Sequence, residues 1–64
     1  MTEQLTSLLP PLFSISEVAA FLKVSPKTVR RWIDRRELPV HRLGRQIRIG
    51  EPDLVTFVRA RREA

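Results

Sequence analysis

The sequence predicts a mainly α fold with one small β-hairpin, in the order helix, helix, hairpin, helix. Two serine-led helix starts lie close together, the apolar spacing changes from helical to alternating after Pro39, and a glycine separates the two alternating runs. A chain of 64 residues has room for one domain with a small core, so nearly every apolar side chain must contribute to that core.

The first helix is predicted from about Ile15 to Leu22. Ser14 and Glu17 form a capping box, in which the serine hydroxyl accepts from the Glu17 amide and the glutamate reaches back to the serine amide. The apolar residues that follow have helical spacing. They are Ile15, Val18, Ala19 and Leu22.

The second helix begins at Ser25-Pro26, because an N-cap serine followed by proline in the first turn is a helix-start signal. It is predicted to end near Arg36, before Pro39, which cannot continue a helix. The apolar stripe that it buries is Val29, Trp32 and Ile33.

Residues 40–49 alternate in a way that predicts a two-stranded hairpin. Gly44-Arg45 stands between the two runs and suits a type II′ turn, whose first central position favours glycine. The apolar residues predicted to face inward are Leu43, Ile47 and Ile49. The polar residues predicted to face outward are Arg42, Gln46 and Arg48.

A third helix opens near residues 50–53. Pro52 is tolerated in a first helical turn, and the acidic residues beside it favour the positive N-terminal end of the helix dipole. Its core stripe is predicted to be Leu54, Phe57 and Val58.

Only Lys23 and Val24 separate the first two helices. So short a connection makes the helices cross steeply, which is the helix-turn-helix arrangement. Ala19 supplies the small residue where the helices touch, and Val24 supplies an apolar plug in the turn. Lys23 stands where glycine is often found, at a cost of about 1 kcal/mol if its φ is positive. With the hairpin beside it, the predicted fold is a winged helix-turn-helix.

Positive charge is concentrated in the middle of the chain. The chain carries a net charge of +5, and residues 23–48 hold nine of the twelve Lys and Arg residues against two acidic ones. Arginine dominates this set, and its planar fork suits bidentate contacts to phosphate and guanine. The pattern predicts a protein that binds double-stranded DNA. The alternative is a surface whose charges only improve solubility.

The second helix supplies the predicted recognition surface. If its apolar stripe faces inward, its cationic side faces a DNA major groove, with the N-terminal part nearest the bases and Arg35 nearer the backbone. The alternatives are that Thr28 only completes the helix cap, that Asp34 pairs with Arg30 or Arg31, and that Arg36 pairs with Glu37. The predicted DNA-binding residues on and before this helix are Ser25, Lys27, Thr28, Arg30, Arg31 and Arg35.

The hairpin supplies a second predicted contact. A cationic tip can enter a narrow minor groove or lie along phosphates, since narrow grooves concentrate negative potential. The alternative is a solvated hairpin whose charges protect exposed strand edges. The predicted DNA-binding residues of the hairpin are Arg42, Arg45, Gln46 and Arg48.

Composition argues against other classes of function. The chain has no cysteine and one histidine, so thiolate metal sites and a histidine zinc site are not expected. It has neither a glycine-rich phosphate loop nor a nucleophile–base pair, so we expect no enzyme activity, no metal and no cofactor. Because no apolar run approaches the length of a membrane span, we expect a cytoplasmic protein.

Residues 1–12 are predicted to form a flexible arm, and residues 13–64 the DNA-binding domain. Pro10-Pro11 disfavours helix at the end of the arm. The arm is rich in leucine, so the alternative to disorder is that it docks on this domain or on a neighbour. The leucines are Leu5, Leu8, Leu9 and Leu12.

Residues Phe13 to Val58 resemble the excisionase-type, MerR-like winged-helix family. Four successive segments carry the resemblance: the Ser-capped helix with EVAAFL, the VS turn, the basic helix and the hairpin segment LPVHRLGRQIRI. The third helix also fits, because it begins with acidic residues followed by a leucine. It implies DNA contacts from the Lys27–Arg31 region and from Arg45 and its neighbours. It further implies cooperative head-to-tail self-association on direct repeats, DNA bending, contact with a tyrosine integrase and a place on the bacterial nucleoid.

Three functions are open at this point. The first is a recombination directionality factor that promotes excision of a mobile element, which fits a chain with a DNA-binding unit and no recognisable effector domain. The second is a small transcriptional regulator of a prophage or mobile element. The third is a protein-interaction module whose basic face meets an acidic partner.

Overall fold

Three helices and a three-stranded antiparallel sheet lie within residues 8–63, the part of the chain that the computed structural model describes. The winged helix-turn-helix prediction is confirmed. The elements in chain order are β1 (Leu12–Phe13), α1 (Ile15–Leu22), α2 (Pro26–Asp34), β2 (His41–Leu43), β3 (Gln46–Gly50) and α3 (Glu51–Ala60).

α1 has the predicted bounds, and its capping box is complete. The Glu17 amide donates to the Ser14 Oγ at 3.1 Å, and the Ser14 amide donates to the Glu17 Oε1 at 2.9 Å. At its other end Lys23 has φ 58° and ψ 43°, so the left-handed conformation considered for this lysine is present. The amides of Lys23 and Val24 donate back to the carbonyls of Ala20 and Ala19, which closes the helix and turns the chain sharply into α2.

α2 ends at Asp34, two residues earlier than predicted. The reason is a second chain reversal of the same type. Arg36 adopts φ 59°, and the Glu37 amide donates to the Trp32 carbonyl at 2.9 Å, which is the long bond of a Schellman motif. The reversal carries Leu38 into the core, where it is 1% exposed.

The hairpin has the predicted two-residue turn at Gly44-Arg45, with Leu43 paired to Gln46 and φ 64° at Gly44. The prediction that Leu43 faces inward is wrong, because this residue is 52% exposed. Residues directly opposite each other on two strands share one face of the sheet. Leu43 therefore lies on the face of Gln46, and Ile47 lies on the other.

A third strand, β1, was not predicted. Leu12 and Phe13 pair with Gly50 and Ile49, so β3 is the central strand of the sheet. The Glu51 amide also donates to the Pro11 carbonyl at 3.0 Å. The last part of the predicted flexible arm is thus joined to the sheet, while residues 1–7 lie outside the described residues.

The core lies between the helices and the sheet. Trp32, predicted to be core, is half-buried and packs against buried Phe57, with the ring centroids 4.7 Å apart and the ring planes tilted by 47°. Val58 was predicted to be buried and is instead 43% exposed. The buried apolar residues are Val18, Ala19, Val29, Ile33, Leu38, Ile49, Leu54 and Phe57.

One face of the Phe57 ring is covered by Arg61. The Arg61 guanidinium lies 3.5 Å from the ring centroid and pairs with Glu37 at 3.1 Å. Glu37 is therefore engaged by Arg61, and the alternative pairing of Glu37 with Arg36 is not found. This contact joins the end of α3 to the turn after α2.

We expect Ile49→Ala to lower the free energy of unfolding by about 2–5 kcal/mol, because the substitution leaves a cavity at a site with no exposure. Leu43→Ala in the same hairpin is the matched control and should change the free energy of unfolding by less than about 0.5 kcal/mol, since Leu43 is already 52% exposed. Urea unfolding measures both values. Equal losses at the two positions would contradict the assigned faces of the hairpin.

Candidate nucleic-acid interface

α2 presents one apolar side and one cationic side. Val29 is 0% exposed and Ile33 is 7% exposed, whereas Lys27, Arg30 and Arg31 all face solvent. These three cations recur at helical spacing, so they form one continuous stripe along the helix. The orientation predicted from the apolar spacing is the one observed.

Asp34, the acidic residue on the cationic side of α2, forms no ion pair with the arginines of the stripe. Asp34 was considered as a partner for Arg30 or Arg31, but within residues 8–63 the ion pair found is the one between Arg61 and Glu37. The positive charges on the exposed side of α2 are therefore not neutralised by Asp34. Arg35, which caps the end of α2, is also exposed.

Ser25 and Thr28 are engaged with each other at the start of α2. The Thr28 amide donates to the Ser25 Oγ at 3.1 Å, and the two hydroxyl oxygens are 2.9 Å apart. Thr28 is half-buried. The capping role considered for Thr28 is thus present, and both hydroxyls stabilise the helix end from which the cationic stripe begins.

A polar cleft of about 260 Å³ joins three elements. It lies where the N-terminus of α1 meets α2 and the hairpin. Of the predicted residues it brings together Arg30, Arg45, Gln46 and Arg48. The other lining residues are Ser14, Ile15, Ser16 and Ile47.

The remaining predicted residues lie outside this cleft. Arg42 is opposite Ile47 in the hairpin register, so it shares a face with Ile47 and not with Gln46 and Arg48. The predicted residues that do not line the cleft are Ser25, Lys27, Thr28, Arg31, Arg35 and Arg42.

Two serines at the start of α1 were missed by the sequence reasoning. Ser14 was considered only as a helix cap and Ser16 not at all, yet both line the cleft beside Arg30. The capping box did show where α1 begins, and the first helix of this motif crosses the DNA backbone. What the sequence did not show is that the hairpin folds back over this helix start.

Arg48 has a partly structural role in the cleft. It is half-buried, and its Nη1 donates to the Ile47 carbonyl at 2.8 Å. Its charge also acts on Glu17. The pKa of Glu17 is lowered from its ordinary value, first by the hydrogen bond from the Ser14 backbone and then by the Ser14 side chain. Burial opposes this shift, and the charge of Arg48 lowers the pKa by the smallest amount of the four.

A match to a known protein family covers nearly all of this structure. A comparison with protein-family models matches residues 12–62 to the family described as "Helix-turn-helix domain". The chain belongs to this helix-turn-helix family. It is therefore a helix-turn-helix DNA-binding domain, in agreement with the exposed cationic side of α2.

Two longer bacterial proteins contain a segment similar to this helix-turn-helix domain. Over 45 residues, 70% of this chain, it is 50% identical to the protein YvgK of Bacillus subtilis. Over 54 residues, 81% of this chain, it is 41% identical to the transcriptional repressor DcmR of Methylorubrum extorquens. The chain spans only 15% and 20% of the lengths of these two relatives.

The described residues of the domain show two further features. No helix within residues 8–63 has both the length and the apolar character that crossing a membrane requires. Across the same residues, no three His, Cys, Asp or Glu side chains are grouped so that they could bind a metal ion.

We expect ionised Glu17 to stabilise the fold above its unfolded-state pKa and to lose this contribution as the pH falls through its lowered folded-state pKa. Glu17→Gln keeps a side chain that can form the capping box and removes the charge. The wild-type protein should therefore unfold with a higher free energy than Glu17→Gln at pH 7, and the difference should shrink as the pH falls below 4.5 and vanish below the lowered folded-state pKa. NMR titration of the Glu17 carboxylate gives the pKa directly, and a value at or above 4.5 would contradict this account.

Proposed function

We propose that the domain recognises a specific DNA sequence with α2 in the major groove and the hairpin along the adjacent backbone. The observation that carries this proposal is the polar cleft, in which Arg30 from α2 and Arg45 from the hairpin turn line one concavity. Two elements that share a cationic concavity can hold consecutive parts of one DNA strand. A domain whose charges only improved solubility would not require this convergence.

The proposed contacts divide by position. Lys27, Arg30 and Arg31 lie on the outward side of α2 and contact base edges and nearby phosphates. Ser25 and Thr28 hold the helix start beside the backbone, and the C-terminal Arg35 contacts phosphate. The hairpin residues placed along phosphates or in the minor groove are Arg42, Arg45, Gln46 and Arg48.

Arg30→Ala and Arg31→Ala should each weaken binding to the specific site by roughly 1–3 kcal/mol, because each removes a guanidinium capable of bidentate base recognition. Arg59→Ala is the matched control, since Arg59 is an exposed arginine of α3 that lines no part of the cleft. Fluorescence anisotropy on specific and random duplexes measures the change. If the losses on random DNA are as large, the two arginines contact only phosphate.

Binding should weaken with salt, since the logarithm of the affinity falls by about 0.9 per decade of salt for each phosphate neutralised. Removing Arg45 should reduce the size of this slope by about 0.9, the contribution of one phosphate contact, and leave sequence preference unchanged. Titrations at several salt concentrations, with Arg59→Ala as control, give the slopes. An unchanged slope in Arg45→Ala would place the hairpin turn away from the backbone.

We further propose that the protein is a recombination directionality factor, on the strength of the resemblance of residues 13–58 to excisionases. It would bind cooperatively and head to tail near an attachment site, bend the DNA and help a tyrosine integrase assemble the complex that excises a mobile element. Such a role is architectural and needs no catalysis or cofactor from this chain. Its place is the bacterial cytoplasm, on the nucleoid.

The excision role is tested by reconstituting excision with a cognate tyrosine integrase. Product should form efficiently only when the protein is added, and Arg30→Ala should reduce it while Arg59→Ala does not. Efficient excision without the protein would rule this role out.

A second candidate is a transcriptional regulator of a prophage or mobile element. The observation that favours it is the 41% identity over 54 residues to the transcriptional repressor DcmR. A promoter-reporter assay separates the two roles. Regulation of a promoter by the protein, with no effect on excision, would select this candidate over the first.

A further inference from the structure

An apolar groove lies between α1 and α3, away from the polar cleft. Its volume is about 640 Å³, and it shares no lining residue with the cleft. Phe21 on its α1 wall is 75% exposed, and Val55 and Val58 on its α3 wall are 40% and 43% exposed. A contiguous apolar surface on so small a domain marks a place where another apolar group docks.

The N-terminal part of the same chain carries apolar side chains that the fold leaves unused. Leu8 and Leu9 are 78% and 57% exposed, and Leu5 precedes them at a position outside the described residues. Leu8 and Leu9 follow Leu5 by three and four residues, so all three leucines lie within one short stretch of chain.

This segment enters the fold at the edge of the groove. The Glu51 amide donates to the Pro11 carbonyl at 3.0 Å, and Phe13 follows in β1. Glu51 and Phe13 both line the groove. The part of α3 that lines it runs to Arg59 and is about 12 Å long. Residues 5–9 can span about 13 Å when extended, so they are long enough to cover it.

The size of the groove favours a short segment over a second folded copy. Ten residues line it, whereas a stable protein–protein interface takes about 20–30 residues on each side. A segment tethered next to the groove has an effective concentration in the millimolar range, so a small apolar contact suffices to hold it.

We propose that the N-terminal leucines of the chain close over its own groove between α1 and α3. From their exposed positions Leu8 and Leu9 turn about Pro10 and pack, with Leu5, against Phe21 and the α3 wall. The polar residues among them remain in solvent. The segment acts as an intramolecular cover for the apolar face, and this role does not depend on DNA binding.

A spin label placed in the segment tests the contact directly. The chain contains no cysteine, so Gln4→Cys provides a single attachment site. In the full chain, a nitroxide there should broaden the NMR amide signals of Phe21, Val55 and Val58. The signals of the hairpin residues 41–43 should change little. Broadening with no preference for the groove would overturn the proposal.

A mixed sample separates the same chain from a second copy. Protein that carries ¹⁵N but no spin label is combined with spin-labelled protein that carries no ¹⁵N. Any broadening of the observed signals then comes from contacts between molecules. We expect none at the groove. If the groove signals broaden in the mixture to the same extent as in the labelled chain, the occupant is a second copy and the proposal is wrong.

Replacing the leucines should remove the contact. The triple variant Leu5→Ser, Leu8→Ser, Leu9→Ser should lose the preferential broadening and melt about 5–10 °C lower than the wild-type chain. The control Gln4→Ser, Thr6→Ser changes only polar residues of the segment and should melt within about 2 °C of the wild type. An unchanged melting temperature in the triple variant would show that these leucines do not cover the groove.

Discussion

The burial of Val29 and Ile33 orients the cationic surface of α2. These two side chains are almost fully enclosed, and they lie on one side of a helix only nine residues long. A helix held by one apolar stripe has a single rotation that satisfies the core. That rotation places Lys27, Arg30 and Arg31 in solvent, so the same contact that stabilises the fold also exposes the cationic side of α2.

Two left-handed residues make this placement possible. Lys23 ends α1 and Arg36 follows α2, both with φ near 60°, and each belongs to a reversal in which two amides close the preceding helix. Without glycine at these positions each reversal costs about 1 kcal/mol. The first sets the steep crossing of the two helices, and the second returns Leu38 to the core.

The domain has two concave surfaces of opposite character. The polar cleft joins α1, α2 and the hairpin, and the apolar groove separates α1 from α3. α1 contributes to both, with its N-terminal serines on the first and Phe21 on the second. A short helix can serve two surfaces because its residues point in all directions around its axis, and only Val18 and Ala19 of this helix are fully buried.

The residues alone determined the features that depend on local chemistry. The capping box predicted the start of α1, Ser25-Pro26 predicted the start of α2, and the spacing of Val29 and Ile33 predicted which side of α2 carries the cations. These features need only neighbouring residues, since caps, turns and helical periodicity act within one or two turns of chain.

Tertiary contacts decided the rest. Leu43 is exposed because the hairpin register pairs it with Gln46, and Leu12 joins the sheet because β3 has a free edge for it. α2 stops at Asp34 because the left-handed turn at Arg36 brings Leu38 into the core. Ser16 and Arg45 line the same cleft only because the hairpin folds back over the start of α1. Each of these outcomes depends on partners distant in sequence, and local periodicity carries no information about such partners.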